Sequence, residues 1–415
     1  MALPLAAVLT VAAMGLAGPV SAAPAANPAV INQWSAVAVA TVTVDAGKAN
    51  AEGFMWLGFT QAAVYNAVNG ITGRYELYRW NPTRPAGASP QAAAAAAAYT
   101  ILVNYFPTSK VSRLDPAYAA SLAAIPNGQA KARGIRFGQR AAARIIALRT
   151  NDGRNAPITF DRPLGPGVWR PTATPPVPFF DPWLSQLRPL TLRSPDQFRP
   201  GPYPALGSAR YARDFNEVKL LGSATSTART PAQTQTALFV SGMTFSLVGG
   251  ALGDYANRHG LGISARARLF AAVDMSVTDA VIASWDSKMH FGFWRPVTAI
   301  RLADTDGNDA TAPDTGWNSL IPSPPYPDYT SGLNSVAAAA TRAMTRVVGS
   351  SHVDLNVFSG ATGTTRHYEL ASQVTTDAVN ARVWSGIHFR FADDAGRTQG
   401  HRVADWALDH YFQPR

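Results

Sequence analysis

The sequence predicts an all-α protein, a large helical bundle interrupted by one long proline-rich loop. Three observations carry that reading. The chain has 415 residues and is 47% hydrophobic, enough to bury a large core. Long apolar or alanine-rich runs without proline recur along it, and alternating strand patterns are scarce. There is no cysteine, so disulfides, thiolate nucleophiles and cysteine-based zinc sites are excluded, and stability must come from packing.

The elements follow in order. Residues 1–23 carry no charged side chain, are apolar from Leu5 to Leu16 and end in Val20-Ser21-Ala22-Ala23. This pattern predicts an export signal and a secreted protein, although the usual basic residue ahead of the apolar run is missing. No later run reaches about 18 uninterrupted apolar residues, so no membrane span is expected after its removal. Residues 24–415 are expected to form a single helical domain in three parts. Within 24–156, helices are predicted over Ala51–Ile71, Pro90–Phe106 and Lys131–Thr150, the last ended by Asp152-Gly153. Residues 157–207 form the loop. Pro157 to Pro204 holds 13 of the 31 prolines, which forbids a long helix. Its Trp169, Phe179, Phe180 and Trp183 argue that it packs onto the body, as a segment of that length without regular structure is normally functional. Within 208–415, helices are predicted over Ser208–Leu221, Thr230–Met243, Ser264–Trp285 and Gln399–Phe412.

The net charge of +10 favours anionic ligands, but it is spread thinly, without the basic stripe that tracks a nucleic-acid backbone. Nucleic acid is therefore not an expected partner. Three clusters stand out instead. Lys288 and Arg295 lie seven apart near the end of a helical pattern and face one side if the helix persists to Pro296. On spacing alone, a solvated face is the commoner use of such a pair. Pro322, Pro324, Pro325 and Pro327 block helix ahead of an alanine-rich stretch, so a helix should begin near Thr330 or Ser331. Ser331 Oγ and the Gly332 amide then sit where free N–H groups and the helix dipole suit an anion, though an ordinary N-cap reads the same. Arg382 and His388 are six apart with Gly386 between them as a possible break, and spacing does not bring them together.

Order and context of these clusters resemble the type-2 phosphatidic acid phosphatase and vanadium haloperoxidase superfamily, whose motifs are Lys-x6-Arg-Pro, Pro-Ser-Gly-His and Ser-Arg-x5-His. AAVYNAVNGI, PGVWRPT, FRPGPYPAL and GIHFRFADDAG extend the resemblance over most of the chain and point to the secreted bacterial haloperoxidase-like branch. It implies a haloperoxidase-type helical bundle. It also implies a pocket in which Lys288, Arg295 and Arg382 neutralise the oxygens of vanadate or phosphate, with Ser331 and Gly332 adding hydrogen bonds. His388 would be the axial vanadium ligand of a haloperoxidase, or the nucleophile forming phosphohistidine in a phosphomonoesterase. Vanadate is thus the implied cofactor. Halide, hydrogen peroxide and a small organic molecule or phosphate ester are the implied partners, and the oligomeric state stays open.

The departures matter equally. Leu333 stands where the family has its acid–base histidine, and a leucine cannot move a proton. Loss of such a group costs roughly 100- to 10,000-fold in rate. A non-catalytic oxyanion-binding protein is therefore a third expectation. Ala381 replaces the serine before Arg382. Ala392 stands four after His388, where an aspartate is expected, with Asp393 beside it. His290 lies about 200° from Lys288 on a helix and should point away from it, while Asp328, Tyr329 and Asn334 are the polar groups nearest Leu333 in sequence. Asp304-Thr-Asp306-Gly307-Asn308 lacks the twelfth-position acid of a calcium loop and reads as a surface turn. The remaining histidines have no metal-ligand spacing, and no nucleophile elbow supports serine catalysis.

Overall fold

The apolar runs become helices gathered around one central helix in the computed structural model, which describes residues 26–415; the predicted signal, residues 1–23, lies outside them. The N-terminal part holds α1 (Ala29–Ala40), α2 (Ala51–Thr72), α3 (Pro90–Tyr105), α4 (Asp115–Ala123) and α5 (Gln129–Leu148). Local chemistry sets their ends. Asn50 caps α2 by accepting from the Glu52 amide, and Ser89 caps α3 ahead of Pro90 in its first turn.

After the loop come α6 (Ala209–Gly222), α7 (Pro231–Ser241), α8 (Thr244–Val248), α9 (Gly250–Arg258) and α10 (Ile263–Phe291). The last part holds α11 (Pro296–Arg301), α12 (Gly332–Val348), a hairpin of β1 (His352–Ser359) and β2 (Thr364–Leu370), α13 (Ala371–Trp384) and α14 (Arg390–His410). At 29 residues, α10 is about 44 Å long. It is buried on nearly every face from Leu269 to Lys288, and packs against α2, α12 and α14. One apolar cluster runs from Val30 near the start of α1 to Phe412 just beyond α14. Among the described residues, no single helix is long and apolar enough to cross a membrane.

The proline-rich segment holds one short 3-10 turn, Pro182–Gln186, and is pinned to the bundle by a buried carboxylate. Asp279 of α10 accepts from the Leu190, Thr191 and Leu192 amides and from Thr191 Oγ1. Trp169, Phe179 and Trp183 are buried against the body, as their type suggested, whereas Phe180 is exposed.

Three expectations need correction. α10 does not continue to Arg295: it stops at Phe291, with Gly292 in the left-handed conformation at φ 58°, so Lys288 and Arg295 occupy different elements. The final helix begins at Arg390 rather than Gln399, because the polar stretch Arg390–Thr398 carries no apolar stripe, yet Phe391, Ala392 and Gly396 are buried by packing. The antiparallel hairpin was not anticipated, although Val353, Leu355 and Val357 alternate inward along β1.

Candidate functional site

Four segments meet at the deep end of α10. α10 brings Lys288, the loop after it brings Arg295, the start of α12 brings Ser331 to Asn334, and the break between α13 and α14 brings Arg382 and His388. Gly386 makes that break at φ 78°, pressed against the backbone of Gly222, where a side chain would collide. The start of α12 is held from the other side by α14. The Ser331 amide donates to Ala392 O at 3.0 Å, and Gly396 lies so close to the Ser331 carbonyl that a Cβ would overlap it. Every residue singled out from the three clusters therefore comes to one place, and Leu333 lines a cavity beside it together with Gly332 and Arg382.

The cluster is buried and rich in donors. Lys288 Nζ donates to the carbonyls of Pro327, Asp328 and Thr330 at 2.8, 3.1 and 2.5 Å, so all three of its protons are engaged. It braces the 327–330 turn and acts on an anion chiefly through its charge. Arg295 donates from Nε to Tyr326 O and from Nη1 to Ile387 O, both at 2.7 Å, while its Nη2 has no partner. Arg382 is 7% exposed, and its Nε is likewise unpartnered. At the N-terminus of α12 the Gly332 and Leu333 amides find no backbone acceptor among the described residues. Ser331 Oγ accepts from Asn334 Nδ2 at 3.1 Å.

His388 lies between an acid and a cation. Its Nδ1 is 2.7 Å from Asp328 Oδ1, a close contact whose angle falls outside that of a formed hydrogen bond. Arg295 Nη1 lies 3.1 Å from its Nε2 and 3.7 Å from Asp328 Oδ1. Burial and the neighbouring Arg295, Lys288 and Arg382 hold the imidazole well below its usual range, so it is neutral. Burial pushes Asp328 up to about 7 against the pull of Arg295 and Lys288. It also pushes Asp393 well above the carboxylate range and opposes the charged form of Lys288, whereas the three carbonyls that accept from Nζ favour the ammonium. The two guanidiniums stay charged. Such a cluster carries surplus positive charge and buried N–H groups without acceptors, both of which a tetrahedral oxyanion would satisfy.

Asp328 was not recognised from sequence as the carboxylate at His388. It is the one acidic residue between Pro322 and Val348, but that does not say which way it faces. Asp393 points elsewhere, accepting from Asn334 Nδ2 at 2.8 Å. His290 is exposed and away from the cluster. The proline-rich segment braces the site from outside: Phe180 pairs with Pro325 O, and Gly201 O accepts from Tyr329 OH. In the Asp304–Asn308 turn, Asp306 accepts from Thr311 Oγ1. No group of three or more metal-ligating side chains occurs among the described residues.

Residues 268–414 match the family model of the VCPO second helical-bundle domain, whose first residue falls inside α10. The vanadium chloroperoxidase of Curvularia inaequalis is 38% identical over 86 residues, which make up 19% of this chain and only 14% of that protein. Two solved structures share the fold across most of the molecule. The first bacterial vanadium-dependent iodoperoxidase superposes with a TM-score of 0.78 at 19% identity, covering 93% of this chain and 96% of its own. A holo-type bacterial vanadium-dependent chloroperoxidase gives 0.70 at 20% identity, covering 86% and 91%. With the bundle and the second-domain match in agreement, the chain has the fold of the bacterial vanadium haloperoxidases, and its residues 268–414 carry the likeness to the VCPO second helical-bundle domain.

Proposed function

We propose that the His388 pocket binds a tetrahedral oxyanion, vanadate or phosphate, and that with vanadate the protein oxidises halide with hydrogen peroxide at a rate limited by Leu333. The observation that carries the binding reading is the pair of buried, unpartnered donors, Arg295 Nη2 and Arg382 Nε, beside a neutral histidine and a free helix N-terminus. Arg295, Arg382 and the Gly332 amide would hold the oxyanion's oxygens, Lys288 would add charge, and His388 would offer a ring nitrogen to it. Bound vanadate supplies the centre at which peroxide is activated. The residues here orient it, exclude water and balance its charge, but Leu333 gives no proton at the position where the superfamily places its acid–base histidine.

A second reading, a binder that does not turn over, is favoured by that same side chain. Phosphomonoester hydrolysis through His388 meets the same obstacle, most severely for alkyl esters, whose leaving group needs protonation. Bromination of a phenol indicator by vanadate-loaded wild type and Leu333→His separates these readings. The proposal expects slow turnover by wild type and an increase of roughly 100- to 10,000-fold in the variant. Turnover by neither, above that of free vanadate, contradicts the peroxidase reading. Turnover by the variant alone supports the binder.

A further inference from the structure

Leu333 does more than remove a proton donor, for it lines a chamber. A cavity of about 180 Å³ opens beside the start of α12, with exposed Ala49 and Ser241 at its mouth. Its walls are mixed, with Phe54, Phe245, Trp285, Tyr326, Leu333 and Val336 beside the polar Asn50, Ser241 and Thr244. Phe54 and Phe245 stack at 4.5 Å with their planes 6° apart, and Trp285 meets Tyr326 at 4.9 Å. A cavity of roughly 150 Å³ with leucine, isoleucine and phenylalanine walls is enough to take up benzene. The inner end differs in kind. Arg382 is the one charged residue in the lining; it is 93% buried, from an exposure of 7%, and its Nε has no partner, while Gly332 with its free amide lies next to it.

A chamber that sets four aromatic rings among polar groups, with one buried guanidinium in its lining, has two-part chemistry. Halide, peroxide and inorganic oxyanions are too small and too polar to use its walls. An extended alkyl chain does not exploit flat ring faces. We infer that the chamber is a subsite for a ligand with a single aromatic ring joined to an oxyanion group, the ring lying among Phe54, Phe245, Trp285 and Leu333 and the anion meeting Arg382 and the Gly332 amide. The inference rests on the oxyanion reading above and adds the organic part of the ligand. Leu333 is then a specificity residue, since a histidine there would set a polar, hydrated group against the ring.

Calorimetric titration of the full chain with inorganic phosphate, methylphosphonate and phenylphosphonate tests this, as none of them requires turnover. Phenylphosphonate should bind about tenfold or more tighter than methylphosphonate, from burial of the ring. It should also change the tryptophan fluorescence of the wild type more than that of Trp285→Phe, since the chain has 10 tryptophans. Phe54→Ala and, separately, Phe245→Ala should remove most of that preference while leaving methylphosphonate affinity within about twofold, and thermal unfolding confirms that each variant is folded. Equal affinity for the two phosphonates in a wild type that binds phosphate overturns the subsite and leaves the oxyanion pocket standing. Failure of all three to bind overturns the oxyanion reading, and the subsite with it.

Discussion

Asp328 carries the sharpest consequence of a single side chain. Its carboxyl is fully buried, 2.7 Å from His388 Nδ1 and 3.7 Å from Arg295, inside the group of cations that an oxyanion would use. Above the value of about 7 to which burial pushes it, the carboxylate is ionised and repels an incoming anion. At pH 8, Asp328→Asn should therefore tighten phosphate binding by about tenfold or more, a conservative fraction of the Coulomb energy of two charges about 4 Å apart in a protein. Below pH 6, where the wild-type carboxyl is protonated, the gain should shrink. Calorimetry at both pH values reads this directly, and weaker binding by the variant at pH 8 would show that the carboxylate supports the pocket instead. Residue identity made the cations, the helix start and the loss at Leu333 legible in the sequence. The Asp328 contact was not legible, because a carboxylate six residues ahead of Asn334 can face either side of an irregular turn, and only the fold fixes which.

At the scale of elements, α10 and the start of α12 were readable because local rules set them: a long apolar run, then four prolines followed by alanines. The extent of α14 and the β1–β2 hairpin were not, since burial there follows from tertiary packing. α14 shows this best. It meets α12 at Gly396 and Gly400, where the backbone of α12 leaves no room for a Cβ, and so fixes the height at which the Ser331–Gly332 helix start faces Arg382. Gly396→Ala should cost about 1–3 kcal/mol of stability by forcing the two helices apart. It should also weaken phosphate binding, because the amides of α12 move with the helix. Urea unfolding and calorimetry on the same sample check both, and a stable variant with full affinity would mean that α12 is held by other contacts.

Across the whole molecule, the site is a product of topology. Lys288 and His388 are 100 positions apart, as their numbers give, and the sequence offers no spacing argument for their meeting. Resemblance supplied that convergence, and the fold supplies its cause: α10 runs down the centre, α12 and α14 pack on it, and the breaks after α10 and α13 open at the same end. Asp279 ties the proline-rich segment to α10, so even the irregular part of the chain is fixed to the element that carries Lys288. The fold is shared with bacterial vanadium haloperoxidases, and the side chain of Leu333 can move no proton. Binding is therefore the property that this architecture asserts most strongly. The most direct test is calorimetric binding of vanadate and of phosphate to the wild type and to Arg382→Ala. The account predicts a one-site isotherm for both anions, weakened about ten- to a hundredfold by loss of the charge-assisted hydrogen bonds. No heat of binding from the wild type, or equal affinity in the two proteins, would contradict it.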